Sequence, residues 1–506
     1  MFALISLSTQ AQITFVKSYN NSNNVYAGCC AVQQTSDGGY IMTGLDQDYR
    51  NIYLVKTNGY GDTSWTRTYG YDSVTDNAGY SVQQTNDGGY IIAGTTDGLN
   101  EGYVDVYLIK TNSNGDTLWT KSYGSTGKDY AYSVKQTNDN GFIIAGATDS
   151  LGAGSFDVFL IKTNSIGDTL WTKTYGGSND DWATSVELTS DGGYIIAGYT
   201  SSFGAGGYDI YLIKTDSIGD TLWTKTYGGT GDDFGYSVKQ TTDGGYIITG
   251  GNVVFLIKTN SNGDTLWTKF YVNIGNAGPG YSVQQTIDGG YIIAGTGINY
   301  VKGNLFEAFL IKTNSTGDTL WTKSYGYGGS EYGYSVQQTT DGGYIVGGFT
   351  YNGMLLIKTD ANGNSGCWQS DYVTTIDSFP AQVSNTSTII KSGCIVSNPS
   401  KTVGSGGTIV STYCFNDGIN EIKTNDYVSF YPNPTSGIFT LSYNSQLSIH
   451  NSQLLIYDIT GREVYLQAII NQKSTTINVS NLSNGIYFYQ LASNKETYRG
   501  KFVKEN

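Results

Sequence analysis

The chain reads as all-β: a seven-bladed β-propeller with four antiparallel strands per blade, then a small C-terminal Ig-like β-sandwich. Two periodic markers and one compositional fact lead there. A D-G-G-Y-type turn recurs seven times, with its aspartate at Asp37, Asp87, Asp139, Asp191, Asp243, Asp288 and Asp341. The spacings are 50, 52, 52, 52, 45 and 53 residues, a period that belongs to solenoids, propellers and arrays. A tryptophan keeps step, at Trp65, Trp119, Trp171, Trp223, Trp267, Trp321 and Trp368. With only 5 Pro against 43 Tyr and 68 Gly, the composition favours strands joined by glycine turns.

The unit from Tyr80 to Gly124 shows the pattern. Tyr80 to Thr85 is a first strand, and Asn86-Asp87-Gly88-Gly89 a tight turn in which glycine supplies positive φ. Tyr90 to Thr95 is a second strand. After a loop, Val104 to Thr111 is the third. Ser113 to Asp116 turns the chain into a fourth, Thr117 to Tyr123. Runs this short and β-rich, bounded by turn signals, indicate strands. Regular recurrence of Trp and Tyr indicates packing between blades, because adjacent propeller sheets bury both faces. Trp182 is the one tryptophan off the register. The blade anchored by Asp243 should carry the shortest loop between second and third strands, at Gly250 to Val254.

Phe15-Val16-Lys17-Ser18-Tyr19 matches the Trp119 to Tyr123 register, so a lone fourth strand precedes the first unit. A ring uses such a strand to complete its last blade and remove a sheet edge. The Cys367-Trp368 segment competes for that slot, and an open stack of sheets is the alternative to a ring. Strand order and turn positions over Ile13 to Ser370 resemble WD-type repeats, although the W-D dipeptide is absent.

A net charge of −14 argues against a nucleic-acid partner, which needs a basic face. No apolar run is long enough for a transmembrane helix. Residues 1–12, MFALISLSTQAQ, read as the remnant of a signal peptide. The five cysteines, Cys29, Cys30, Cys367, Cys394 and Cys414, lack zinc spacing, and the single histidine is His450. Zinc sites and Cys-His or Ser-His catalytic pairs in the repeats are therefore not expected. An exported chain permits disulfides, with Cys394–Cys414 the first candidate and Cys367 a competitor.

Acids begin the third strands at Asp105, Asp157, Asp209 and Glu307. A second acidic column, Asp129, Asp181, Asp233 and Glu331, precedes first strands, each acid beside an aromatic. The repeat geometry puts this second column at one mouth of the channel. Turn capping and solubility account for it. The sharper reading is a ligand rim of Asp129, Asp181, Trp182, Asp233 and Glu331 that takes a glycan or Ca²⁺. No other cofactor is expected.

Residues 371–425 are rich in Ser, Thr, Val and Gly and read as a linker or a few weak strands. Residues 426–506 read as strands separated by Gly and Asn turns, a small sandwich. Its motifs are Tyr431-Pro432-Asn433-Pro434-Thr435-Ser436-Gly437, Leu455 to Val464 with Asp458 and Gly461, Leu482-Ser483-Asn484-Gly485, and Gly500-Lys501-Phe502-Val503-Lys504. In this order they closely resemble the type A C-terminal sorting domain of the type IX secretion system. The resemblance implies that the domain is an address read by the type IX machinery. The passenger would be secreted or held at the outer-membrane surface of a Gram-negative bacterium. The propeller is expected to recognise or adhere to an extracellular glycan or protein without enzymatic activity. A carbohydrate hydrolase in the channel is the alternative, and it requires two carboxylates in different environments.

Overall fold

The computed structural model describes residues 12–20, 28–45, 51–70, 77–100, 103–272, 277–299, 305–326 and 328–366. It also describes short strands between 369 and 416, and then 428–431, 436–443, 452–458, 462–469, 474–492 and 497–504. The chain divides into two compact units, Met1–Phe415 and Asn416–Asn506.

The first unit holds seven antiparallel sheets in sequence order. Blade 2 is typical: Asn77–Gln84, Tyr90–Asn100, Tyr103–Thr111 and Thr117–Gly124, running from channel to rim. The first glycine of each D-G-G turn has φ near +80°, as at Gly88, a conformation that favours glycine. Second and third strands are buried on both faces, which explains their continuous apolar runs. Ile91, Ala93, Val106 and Leu108 of blade 2 share a core with Ala131, Val134, Phe142 and Ile144 of blade 3. The repeated tryptophans do pack between blades. Trp119 meets Phe142 edge-on at 5.8 Å, and Trp171 sits 6.1 Å from Tyr194.

Two polar devices recur. A lysine near the end of each third strand pins the D-G-G aspartate of its own blade, as Lys110 does Asp87 at 2.8 Å and Lys214 does Asp191 at 2.9 Å. A tyrosine near the end of each fourth strand donates to a glycine carbonyl in the next blade. Tyr69 reaches Gly115 at 2.7 Å and Tyr175 reaches Gly219 at 2.6 Å.

The ring closes through the N-terminal strand. Thr14–Asn20 pairs antiparallel with Gly353–Thr359 and becomes the fourth strand of blade 7. Tyr19 then donates to Gly61 of blade 1 at 2.6 Å, repeating the contact made at the other blade junctions. Phe15 and Tyr19 are fully buried. Trp368 lies outside the described residues, and the strand that follows it, Gln369–Tyr372, pairs elsewhere. Blade 5 does not have the shortest loop between second and third strands, since only residues 351 and 352 join those strands in blade 7, but its connection is lower from equivalent positions. Four residues separate the paired Gly250 and Phe255 in blade 5, against six between the equivalent Gly348 and Leu355 in blade 7.

Residues 371–425 depart from the linker expectation. Seven short strands, from Gln369–Tyr372 to Ile409–Asn416, each add a fifth strand to the rim of one blade. They visit blades 6, 5, 4, 3, 2, 1 and 7 in turn. The segment is a belt that retraces the ring. Each fourth strand offers an open row of N–H and C=O groups, which the belt pairs. Most of its strands are only three or four residues long, too short to show period-2 patterning.

The second unit has a three-stranded sheet, Val428–Tyr431, Ile438–Tyr443 and Ser474–Asn478. Its four-stranded sheet runs in the order Glu463–Ile469, Ser452–Tyr457, Gly485–Ala492 and Thr497–Lys504. Phe439, Leu441, Leu454, Ile456 and Phe502 share one core, as a sandwich requires.

Residues 1–11, Cys367 and Cys394 lie outside the described residues, as do Pro432, Asn433, Pro434 and Gly461. The proposed disulfide is therefore not described.

Candidate binding site

The acidic column does not form a solvated rim. Asp129, Asp181 and Glu331 are at most 1% exposed, and Asp233 is half-buried. The reason is local. Asp129 Oδ2 accepts the Ser125 amide at 3.0 Å, Asp181 Oδ2 the Gly177 amide at 2.8 Å, and Asp233 Oδ2 the Gly229 amide at 2.9 Å. Each carboxylate caps the connection that enters its own strand. The third-strand acids do similar work. Asp157 Oδ2 accepts the Ala153 amide at 2.7 Å and Asp209 Oδ2 the Ala205 amide at 2.8 Å. The two columns meet at blade junctions. A Cβ on Gly176 would stand 2.0 Å from Asp157 Oδ1 and 2.6 Å from Asp181 Oδ2, so only glycine fits between them. Burial raises the carboxyl pKa of Asp129 and Asp181, against hydrogen bonds that lower it. Burial also raises that of Asp209, with the Asp233 charge adding to it. No group of three or more His, Cys, Asp or Glu suited to a metal occurs among the described residues.

The mouth of the channel is aromatic instead. One position in each first strand faces it: Cys30, Tyr80, Tyr132, Thr184, Tyr236, Tyr281 and Tyr334. A β-bulge at this position turns the residue toward the cavity, with register shifts at Gly79/Ser81 and Gly235/Ser237. With Tyr199, Phe349 and Leu45 these residues line a cavity of about 550 Å³. The rings brace one another. Tyr80 and Tyr132 are 5.1 Å apart, Tyr236 and Tyr281 5.3 Å, and Tyr281 and Tyr334 4.9 Å. Burial pushes the Tyr80 and Tyr281 phenols up to about 12 and raises that of Tyr236, so these phenols stay neutral at neutral pH. Burial also pushes the Cys30 thiol up to about 12, which keeps it from acting as a thiolate.

Trp182 belongs to the outer part of this wall. It packs against Phe156 at 4.4 Å, Tyr130 at 5.5 Å and Tyr199 at 6.2 Å. Thr184 stands where five blades have tyrosine, and its hydroxyl donates to the Gly235 carbonyl at 2.8 Å. Sequence reading passed over this tyrosine column because it recurs like a packing residue. The available signal was its failure at Cys30 and Thr184.

In the second unit, Gly437 takes φ of +121°, and its carbonyl accepts the Val479 amide at 2.7 Å. Asp458 receives the Arg462 side chain at 3.1 Å. Gly485 opens a strand, Lys501 lies in the last one, and Lys504 is buried with its Nζ 3.4 Å from Asn484 Oδ1. Among the described residues no helix is long and apolar enough to cross a membrane.

Over 158 residues the chain is 27% identical to Regulatory protein FlaEY of Caulobacter vibrioides, covering 26% of this chain and 17% of that protein. The chain thus spans about a sixth of that relative. The structure of Sqt1 from Chaetomium thermophilum overlays 70% of this chain and 88% of its own, at 12% identity and a TM-score of 0.41. The family described as the secretion system C-terminal sorting domain matches residues 429–505. Residues 429–505 are therefore a type IX C-terminal sorting domain, and the chain is an exported β-propeller bound for the surface or exterior of a Gram-negative bacterium.

Proposed function

We propose that the exported propeller is a non-enzymatic recognition protein that holds the end of an extracellular glycan in its channel mouth. The observation that carries this is the wall of mutually braced tyrosines around a cavity of about 550 Å³. That volume falls within the range of small-ligand sites. Phenol rings offer apolar faces for sugar C–H groups and hydroxyls for hydrogen bonds. Among the described residues no carboxylate or amine lines the cavity, which favours an uncharged ligand segment there. The same feature weighs against the hydrolase alternative, because glycoside hydrolysis uses two carboxylates at the substrate. Buried Asp129, Asp157, Asp181 and Asp209 instead accept amides of their own connecting loops.

The test is a screen of soluble neutral oligosaccharides against the full chain, followed by calorimetry on the best ligand. Tyr236→Ala with Tyr281→Ala should weaken binding about tenfold, since each aromatic contact contributes ~0.5–1.5 kcal/mol. Undiminished affinity in that variant would move the site off the mouth. Hydrolysis of the bound sugar would reinstate the enzyme.

A further inference from the structure

Three residues beyond the tyrosine column, ~10 Å along the strand, lies another ring of channel positions: Gln33, Gln83, Lys135, Glu187, Lys239, Gln284 and Gln337. Four of these are glutamines with one shared task. Each Oε1 accepts a backbone amide from the next blade. Gln84 N–H reaches Gln33 at 2.6 Å and Gln136 N–H reaches Gln83 at 2.7 Å. Gln338 N–H reaches Gln284 and Gln34 N–H reaches Gln337, both at 2.6 Å.

Blades 3, 4 and 5 break the rule. Lysine has three donors and no acceptor, so Lys135 and Lys239 cannot receive the amides that follow them around the ring. Those amides belong to Leu188 and Gln285, which occupy the same strand-end register as Gln136. Both ammonium groups instead turn to one oxygen, Glu187 Oε2, at 3.0 Å from Lys135 and 2.9 Å from Lys239. The three side chains are 24–29% exposed, so channel water reaches them.

This level of the channel therefore has an excess of donors and of positive charge. Two ammonium groups share a single carboxylate oxygen. The net charge of the triad is positive inside a chain whose total is −14. Burial pushes the Glu187 carboxyl up, but the charges and hydrogen bonds of Lys135 and Lys239 bring it down to about 2, so it is ionised. Burial and the neighbouring Lys135 charge pull Lys239 down to about 8, despite the pull of Glu187 in the other direction.

We infer that the channel binds a small oxyanion, the carboxylate, sulfate or phosphate group of a ligand, between Lys135 and Lys239. A purely structural triad would be expected to meet the hydrogen-bonding needs of the neighbouring strands, as the glutamines do. This one withdraws from that task, and both lysines turn to one carboxylate at a level that water reaches. Where the tyrosine mouth holds a sugar, a ligand engaging both levels carries its acidic group ~10 Å from that ring. That last link rests on the proposed function. The anion site does not.

The experiment uses the full chain and inorganic phosphate or sulfate, with sodium chloride at matched ionic strength as control. The thermal midpoint should rise with either oxyanion and not with chloride. Replacing Lys135, Glu187 and Lys239 together by Gln gives the ring the residue used in the other four blades, so folding should survive. That variant should bind phosphate about tenfold more weakly or not at all, the loss expected for charge-assisted hydrogen bonds. Lys239→Gln alone provides the same readout with a smaller change. Equal phosphate response in wild type and both variants, or a wild type that responds only as it does to chloride, would overturn the inference. Tyr281→Ala should leave the phosphate response intact, so a failed glycan screen and a failed anion site give different results.

Discussion

Seven tyrosine hydroxyls hold the ring together, and one of them tests whether it is closed. Tyr19, on the N-terminal strand, donates to Gly61 at 2.6 Å, and Tyr175, at the junction of blades 3 and 4, donates to Gly219 at 2.6 Å. Both side chains are fully buried. Tyr→Phe removes the donor and strands a buried carbonyl, which costs ~1–3 kcal/mol. If blades 7 and 1 meet as the others do, Tyr19→Phe and Tyr175→Phe should cost the same within about 0.5 kcal/mol. The sites are far apart, so the double variant should show the sum. For a ring of this size each loss corresponds to a fall of ~1–4 °C in midpoint. Urea unfolding followed by tryptophan fluorescence measures both. If the ring were open, the Tyr19 hydroxyl would face water and its loss would cost almost nothing. A silent Tyr19→Phe beside a costly Tyr175→Phe would refute closure by the N-terminal strand.

Acid should act on the blades in two opposed ways. Burial raises the Asp37, Asp87, Asp139, Asp191, Asp243 and Asp288 carboxyls, but their lysine, threonine and amide hydrogen bonds prevail and bring them down to about 2. Folded values below the unfolded value of ~3.9 give stability that is present above pH ~4 and lost as pH falls toward 2. Asp129, Asp181 and Asp209 are raised by burial, so their ionised forms cost stability near neutrality and that cost shrinks as pH drops. Urea midpoints should therefore peak on the acid side of neutrality and collapse below pH ~4. A midpoint level down to pH 2 would contradict the lysine–aspartate pins. A chain ending at Gly366 should keep the ring but expose seven fourth-strand edges, so sedimentation should reveal self-association absent from the longer chain; a monomer at all concentrations would deny the belt that role. Fusing 426–506 behind a signal peptide and reporter should send the reporter outside a type IX-competent cell, and periplasmic retention would count against the address.

The blades were legible because each feature that sets them recurs in six or all seven of them. A D-G-G turn demands glycine with φ near +80°, and a strand buried on both faces demands a run such as Phe142 to Thr148. Phe15 to Tyr19 was legible as a fourth-strand copy for the same reason, but sequence did not choose between it and the Cys367-Trp368 segment for the closing slot. The belt was not. Most of its strands are too short for a pattern, and what orders them is the open edge of a partner distant in sequence, more than two hundred residues away for Ile389–Lys391 against Thr169–Gly176. The acidic column was legible as a column but misplaced. Sequence gives a residue's position along a strand, yet the loop amides that fold back over Asp129 and Asp181 decide whether its carboxylate meets water.

Departures from the repeat are the better guide to function. Where all seven blades agree, the residue serves the ring: the pinning lysines, the junction tyrosines and the glycines of the turns each do a task that every blade needs. Catalysis or ligand recognition has no reason to be sevenfold, because a ligand in the channel meets the ring along a single orientation. Thr184 and Cys30 break the tyrosine column, and Lys135, Glu187 and Lys239 break the glutamine ring. Four of these five lie in blades 3, 4 and 5, and Cys30 lies in blade 1. The two irregularities therefore overlap on one strand, where Thr184 and Glu187 stand three residues apart. A ring built only as a spacer would have no use for that coincidence, whereas a site that takes an uncharged ring above and an anion below requires it.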